Sequence, residues 1–392
     1  MRFVVNLTRE TDRRLAHWRS NARAVLVNSR TAMNYAVVRP ICEAMRGDER
    51  VDFYFTSSEE PAKLGQVYAE AGSAARLIHP RRAMFKRFDA YLTADLLWPK
   101  LLRGARRIMM FHGVAGKYAN VYDSPDRSMR DWDRLFFINE QRLQNFIKSG
   151  AIDGNSHAAR LVGYPKLDCL VDGTLSREAL LESLGVDPSR RIVLYAPTWS
   201  PYSSLNAMGE GLIKRLCAAG FVVIVKLHDR SRDLQYIHSG GVDWAARLQP
   251  LLRAGGGLLA ETSDASPYLA AADVLVTDHS SVGFEYLLLD RPLIRIEMPE
   301  LIAATNIHPD YVAMMAEAAT SVCTAEEAVR AVERAFDDPA KKSAARRAVA
   351  SKLFYKPGTA TGRAVRELYE AIDLEPLPAY HFAAPALSAG IE

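Results

Sequence analysis

Short runs of apolar and β-branched residues alternate with stretches of helical period along most of the chain. ARAVLVNS (22–29) reads as a strand and NYAVVRPICEAMRG (34–47) as a helix with Pro40 inside it. VDFYFTS (51–57) is the next strand, followed by a helical stretch around Ala62–Ala74. FDAYLTA (88–94), RRIMMF (106–111) and RLFFIN (134–139) continue the strands, the last leading into the helix EQRLQNFIKSG. Strands alternating with helices of this length form βαβ units and so a parallel sheet.

The second half repeats the rhythm. RIVLYAPT (191–198) is an apolar run of the kind covered on both faces of a sheet. GLIKRLCAAG (211–220) reads as a helix, FVVIVKLH (221–228) and GGLLAE (256–261) as strands, and SPYLAAA (266–272) as a short helix. DVLVTDHSS (273–281) is a strand running into a turn, VGFEYLLLD (282–290) its helix and RPLIRIE (291–297) the next strand. AEEAVRAVERAFDD (325–338) and GRAVRELYEAI (362–372) are amphipathic helices. The pattern predicts an α/β protein of two Rossmann-like domains, 1–175 and 176–373, whose parallel sheets face an interdomain cleft. A tail, 374–392, has no clear period and is expected to be loosely ordered. In open sheets of this kind ligands bind at the carboxyl ends of the strands.

Composition narrows the class. A chain of 392 residues suits two domains, each able to bury a core. Cys42, Cys169, Cys217 and Cys323 are scattered without CxxC spacing, which speaks against a disulfide framework or a thiolate zinc site and fits small core residues in a reducing cytosol. No run approaches the ~20 apolar residues of a membrane span, and the apolar core of MRFVVNLTRETDRR is too short for a signal peptide. The expected location is cytoplasmic, peripheral to the inner membrane face. The net charge of +4 is uneven. Arg81, Arg82, Lys86, Arg87, Lys100, Arg103, Arg106 and Arg107 stand against Asp89 and Asp95 alone, with Phe85, Phe88, Tyr91 and Trp98 interleaved. Arg81, Arg82, Lys86 and Arg87 are therefore candidate contacts to an anionic membrane surface or a polyphosphate acceptor, although a solvated face beside a buried strand would read the same.

There is no Walker A sequence and no GxGxxG after a strand; Gly209-Glu210-Gly211 and Gly255-Gly256-Gly257 read as turns. HExxH is missing, and neither a metal nor another cofactor is expected, nor a nucleic-acid partner. The strongest local signal runs from Asp273 to Ile296. A buried strand ends at Thr277, Asp278-His279-Ser280-Ser281 turn the chain, and a helix begins with its free N–H groups toward the cleft. Ser280 and Ser281 add hydroxyls to that anion site or cap the helix, and Glu285 lies one turn inside, within reach of a polyol or ribose hydroxyl. His112 follows an apolar strand and precedes Gly113, a natural place for a general base. His228 ends another strand, with Lys226, Arg230 and Arg232 nearby to hold a phosphate. Thr198 and Trp199 end the strand before it.

His112-Gly113, Gly163-Tyr164-Pro165-Lys166 with Asp168, Tyr195 to Trp199, Lys226-Leu227-His228, and Asp273 through Pro292, in that order, resemble the CDP-glycerol:glycerophosphate glycerophosphotransferase family, which builds teichoic acids and related capsular polymers. The resemblance implies a GT-B arrangement and transfer of a polyol phosphate from a CDP-polyol donor to a polymer or lipid-linked acceptor, with CMP leaving. It implies His112 as the base on the acceptor hydroxyl and His228 as a contact to the phosphate or leaving group. Thr198, Lys226, Thr277, Asp278, Ser280, Ser281, Glu285 and Arg363 are the expected donor contacts. The chain departs from the family pattern at Asp229, where Pro is usual, at His279, where Tyr is usual, and at Pro357-Gly358-Thr359-Ala360. The competing readings are a GT-B glycosyltransferase or a UDP-GlcNAc 2-epimerase-like enzyme acting on a UDP-sugar, and a non-catalytic nucleotide- or membrane-binding scaffold.

Overall fold

The structure, a computed structural model, describes residues 22–97, 100–117 and 127–380. The apolar runs become two parallel sheets. The first contains β1 (Arg23–Asn28), β2 (Val51–Thr56), β3 (Arg76–Leu77), β4 (Ala90–Thr93), β5 (Arg106–Met110), β6 (Arg134–Phe137) and β7 (Ala159–Leu161), in the order β3-β2-β1-β4-β5-β6-β7. The second contains β8 (Ile192–Tyr195), β9 (Val222–Val225), β10 (Leu258–Leu259), β11 (Val274–Thr277), β12 (Leu293–Ile296) and β13 (Thr320–Val322), in the order β10-β9-β8-β11-β12-β13. Both orders run outward from a central strand pair and reverse there. Such a reversal opens a crevice where neighbouring chain segments leave the sheet in opposite directions, and it falls between β1 and β4 in one sheet and between β8 and β11 in the other. The central strands β8, β9, β11 and β12 are buried throughout, which explains their unbroken apolar sequences.

The helices around the sheets include α1 (Ala32–Ala44), α2 (Glu140–Lys148), α3 (Ser204–Ala218), α4 (Trp244–Ala254), α5 (Val282–Tyr286), α6 (Pro309–Ala318), α7 (Ala325–Asp337), α8 (Ser343–Leu353) and α9 (Ala360–Ala371). Thr31 caps α1 by accepting from the Asn34 N–H, and Pro40 lies within that helix. The stretch 62–74 is broken into single turns rather than one helix. Gly209 and Gly211 lie inside α3, not in a turn. A Cβ on Gly209 would sit 2.9 Å from Leu205 Cδ1 and 3.7 Å from the Tyr195 hydroxyl, so the missing side chain lets α3 seat closely on β8.

The end of the chain returns to the first sheet. Helix α9 packs on α1 and on the turn Pro165–Leu170. The Arg23 guanidinium donates to the Ile372 carbonyl at 2.9 Å, Tyr369 donates to Asp48 at 2.9 Å, and Arg160 meets Glu367 at 2.7 Å. Asp168 holds the start of α9 by accepting from the N–H groups of Ala360 and Thr361. Of the tail, Tyr380 donates to the Ala44 carbonyl at 3.0 Å, and 381–392 lie outside the described residues, as do Trp98 and the first 21 residues. Cys42 is buried, Cys169 and Cys217 are half-buried, and Cys323 is exposed rather than in a core. No helix among the described residues is long and apolar enough to cross a membrane.

Candidate active site

At the reversal point of the second sheet, the carboxyl end of β11 is tied to that of β8. Asp278 is fully buried, and a buried carboxylate must be hydrogen-bonded to persist. One oxygen accepts from the Thr198 N–H at 2.8 Å, the other from the Ser204 N–H at 3.1 Å and the Ser204 hydroxyl at 2.9 Å. Thr277 donates to the Ala196 carbonyl at 2.6 Å. Both side chains are thus engaged in fixing the loop after β8 and the start of α3. They shape the crevice rather than offer free groups to it.

The crevice holds a cavity of about 100 Å³ whose wall includes Lys226, His228, Ser280, Ser281, Lys166 and Glu285. Helix α5 is only five residues long and continues as a single 3-10 turn, so its dipole is small. Ser281 occupies the cap position without a side-chain capping bond, and the seryl pair lies on the cavity wall. Glu285 does not stand alone. The Lys166 ammonium meets its carboxylate at 2.8 Å, with both side chains about 5–6% exposed. Burial alone would lower the lysine's pKa, but Glu285, Tyr164 and Asp264 outweigh it and hold the charge on, with the pKa raised. Lys226 is buried and donates to the Leu227 carbonyl at 2.8 Å. Desolvation pushes it down to about 8, with Arg232 and Lys166 adding and Asp229 opposing.

The two predicted histidines carry opposite tautomers. His112 Nδ1 lies 2.5 Å from the Ala94 carbonyl, at the end of β4. A carbonyl only accepts, so Nδ1 carries the hydrogen and Nε2 of the neutral ring keeps its lone pair. His228 Nδ1 accepts from the Arg230 N–H at 3.1 Å, so its hydrogen sits on Nε2. Desolvation lowers the pKa of His112, against the pull of Asp95, although the residue is exposed at the surface. Desolvation pushes His228 down to about 3, helped by Lys226, Arg230, Lys117 and His112 itself. The two rings therefore share one electrostatic neighbourhood, one from each sheet. Trp199 borders it, with its ring 6.1 Å from that of His228 and the Arg230 guanidinium 4.5 Å from its centre.

Other expected contacts lie apart. Arg363 gives its donors to the carbonyls of Val162, Tyr355 and Lys356 and to the Thr359 hydroxyl. A Cβ on Gly163 would approach Tyr355 O to 2.6 Å and Arg363 to 3.0 Å, so this arginine locks the junction beneath α9. Arg81 and Arg82 are exposed on a single turn, Pro80–Ala83. Lys86 stacks 4.4 Å from the Tyr54 ring. With Arg87 they lead into the amino end of β4, whereas His112 follows the carboxyl end of β5. Lys117, Lys166 and Asn139 carry roles that sequence reading did not assign. Lys117 is desolvated to about 8, with Asp278 opposing. The buried Asn139 amide donates to Val114 O at 2.7 Å and Leu353 O at 2.9 Å, tying the loop after His112 to α8. His279 is fully buried, and neither ring nitrogen has a hydrogen-bond partner among the described residues. Among those residues no three acidic, histidine or cysteine side chains are placed to hold a metal ion.

The profile of the family described as CDP-Glycerol:Poly(glycerophosphate) glycerophosphotransferase matches residues 108–372, more than half of the chain. The chain belongs to this family. Among curated relatives, the teichoic acid poly(glycerol phosphate) polymerase of Bacillus spizizenii is 28% identical over 222 residues, covering 50% of this chain and 53% of the relative. The teichoic acid glycerol-phosphate primase of Bacillus subtilis is 26% identical over 187 residues, 45% of this chain and 41% of the relative. A polymerase of Staphylococcus epidermidis is matched over only 23% of its length. The chain thus spans about half or less of each of these relatives. Among solved structures, the wall teichoic acid polymerase TagF superposes with a TM-score of 0.65 at 15% identity, over 90% of each chain; another TagF structure is of a variant soaked with CDPG. A putative UDP-N-acetylglucosamine 2-epimerase from Listeria monocytogenes gives 0.58 at 15% identity, over 89% of this chain and 96% of the other. These likenesses establish the two-domain GT-B fold.

Proposed function

We propose that this family member transfers glycerol phosphate from CDP-glycerol to a hydroxyl of an envelope polymer or lipid-linked primer. The observation that carries the reading is the pair of opposed tautomers across one cleft. The acceptor oxygen attacks the phosphorus of the donor's glycerol phosphate, its proton passes to His112 Nε2, and the bond from phosphorus to the CMP oxygen breaks, so CMP leaves with the charge. His228 donates its Nε2 hydrogen to a phosphoryl oxygen. Lys226 and the hydroxyls of Ser280 and Ser281 stabilise the same charge. The ion pair between Lys166 and Glu285 holds the cavity wall in register between the halves. The TagF variant soaked with CDPG supports the choice of donor. Exposed Phe85 and Leu102, beside Arg81, Arg82 and Arg103, support work at an anionic membrane face.

Nucleotide release tests the reading. Purified protein is incubated with CDP-glycerol, CDP-ribitol or UDP-GlcNAc and a lipid-linked acceptor, beside His112→Ala. CMP from CDP-glycerol is expected, falling by roughly 10²–10⁴ in the variant. Release of UDP from the sugar nucleotide, with no CMP from either CDP-polyol, would move the chain to the UDP-sugar chemistry that the epimerase fold also supports.

A further inference from the structure

Val114, Ala115 and Gly116, in the loop after His112, border a hollow of about 350 Å³ that shares no lining residue with the small donor cavity. Its walls come from both halves of the molecule. Gln141, Asn145 and Lys148 share one face of α2 by helical spacing, with Ser149 at its C-cap, and His308 at the N-cap of α6 is joined by Tyr311 and Met314. A further open hollow of about 540 Å³ begins where the first ends, sharing Asn139 and Gln141 with it, and runs between the start of α2 and the end of α8, past Lys352 and Lys356. Through these shared residues they make one groove leading outward from the loop after His112.

The groove is polar and predominantly basic. Arg142, Lys148, Lys352 and Lys356 line it together with Glu140 and Asp310. Lys148, Lys352 and Lys356 are exposed. Arg142 is anchored instead, donating to Gly113 O at 2.8 Å with its guanidinium 4.4 Å from the Phe111 ring. Asn139 joins the groove to the loop at the seam of the two hollows. Spaced, exposed cations along an open trough suit a flexible chain carrying one negative charge per unit. They suit a compact anion poorly.

We propose that this groove binds the growing acceptor, a linear polyol phosphodiester, and delivers its terminal hydroxyl to His112. The proposal rests on the transferase reading above. It assigns Lys148, Lys352 and Lys356 as contacts to successive phosphodiesters behind the reacting end, so affinity rises with acceptor length and falls with salt as counterions are released.

The test compares the full chain with a triple variant, Lys148→Glu, Lys352→Glu and Lys356→Glu, and with the corresponding three Gln substitutions. Each protein is assayed for CMP release from CDP-glycerol with a one-unit glycerol phosphate acceptor and with a poly(glycerol phosphate) acceptor about ten units long. In the Glu variant KM for the long acceptor should rise roughly ten-fold, and in the Gln variant by less, while kcat/KM on the one-unit acceptor stays within about two-fold. Equal effects on both acceptors, or none on the long one, would overturn the groove. Direct titration of labelled poly(glycerol phosphate), without donor, separates this from the function itself. If the wild type released no CMP, the transferase reading would fail, yet polymer binding lost in the Glu variant would still support the groove. Unchanged polymer binding, with loss only of binding to phosphatidylglycerol vesicles, would reassign the lysines to a lipid surface and overturn the proposal.

Discussion

At the scale of single residues, two imidazoles of the same composition are given different chemistry by one hydrogen bond each. The Ala94 carbonyl fixes the hydrogen of His112 on Nδ1, and the Arg230 N–H fixes that of His228 on Nε2. A base acts when unprotonated, and crowding lowers the pKa of His112. The acid limb of kcat/KM should therefore lie below the roughly 6.5 of a free imidazole. Lys226 and Lys117 are both held near 8, so their charges fade above that pH and an alkaline limb near 8 should follow. Bound donor phosphate would favour the charged lysines and move that limb upward in kcat alone. A pH series from 5 to 9.5 at saturating and limiting CDP-glycerol reads both limbs. An acid limb at 7 or higher would remove His112 as the base.

At the scale of elements, the burial pattern decided what could be seen in the sequence. Strands β8, β9, β11 and β12 are buried on both faces, and their apolar runs marked them within one to four residues at each end. The edge strands β3, β7 and β13 are two or three residues long and mostly exposed or half-buried, so no run announced them. No clear sequence signal marks α4, α6 or α8, and Gly209 and Gly211 hide the first seven residues of α3 because paired glycines resemble a turn. Glu285 was legible as a cavity residue, but its partner was not, because nothing local to Lys166 points 119 residues along the chain. That pairing makes a stability prediction. Lys166→Met leaves the Glu285 charge buried without its counter-ion and should cost about 3–5 kcal/mol, whereas Lys166→Met with Glu285→Leu should recover much of it. Chemical denaturation of both variants checks this. If the double change were as unstable as the single one, the pair would be holding more than its own charges.

At the scale of the whole molecule, the cleft depends on how the two sheets are held face to face. Arg39, on α1 of the first half, meets Asp264 of the second at 2.8 Å and also pairs with Glu70 beside it. Asp264 is 4% exposed and sits between Ser263 and Ala265, which line the cavity beside His228. Its other oxygen accepts from the N–H and hydroxyl of Ser266, so the carboxylate fixes its own loop and ties that loop across the cleft. Arg39→Met removes the tie and leaves Asp264 buried with only the Ser266 donors. The cost in stability should be about 2 kcal/mol, less than for a fully buried pair because the Arg39 side chain keeps some contact with water. The sharper expectation concerns the cavity. With Ser263 and Ala265 released, KM for CDP-glycerol should rise several-fold while kcat falls little, because the His112 loop and its Asn139 tether are untouched. Arg39→Met with Asp264→Asn removes the uncompensated charge and should restore most of the stability without restoring KM. A donor KM that recovered together with stability would mean that the cross-cleft tie serves folding alone.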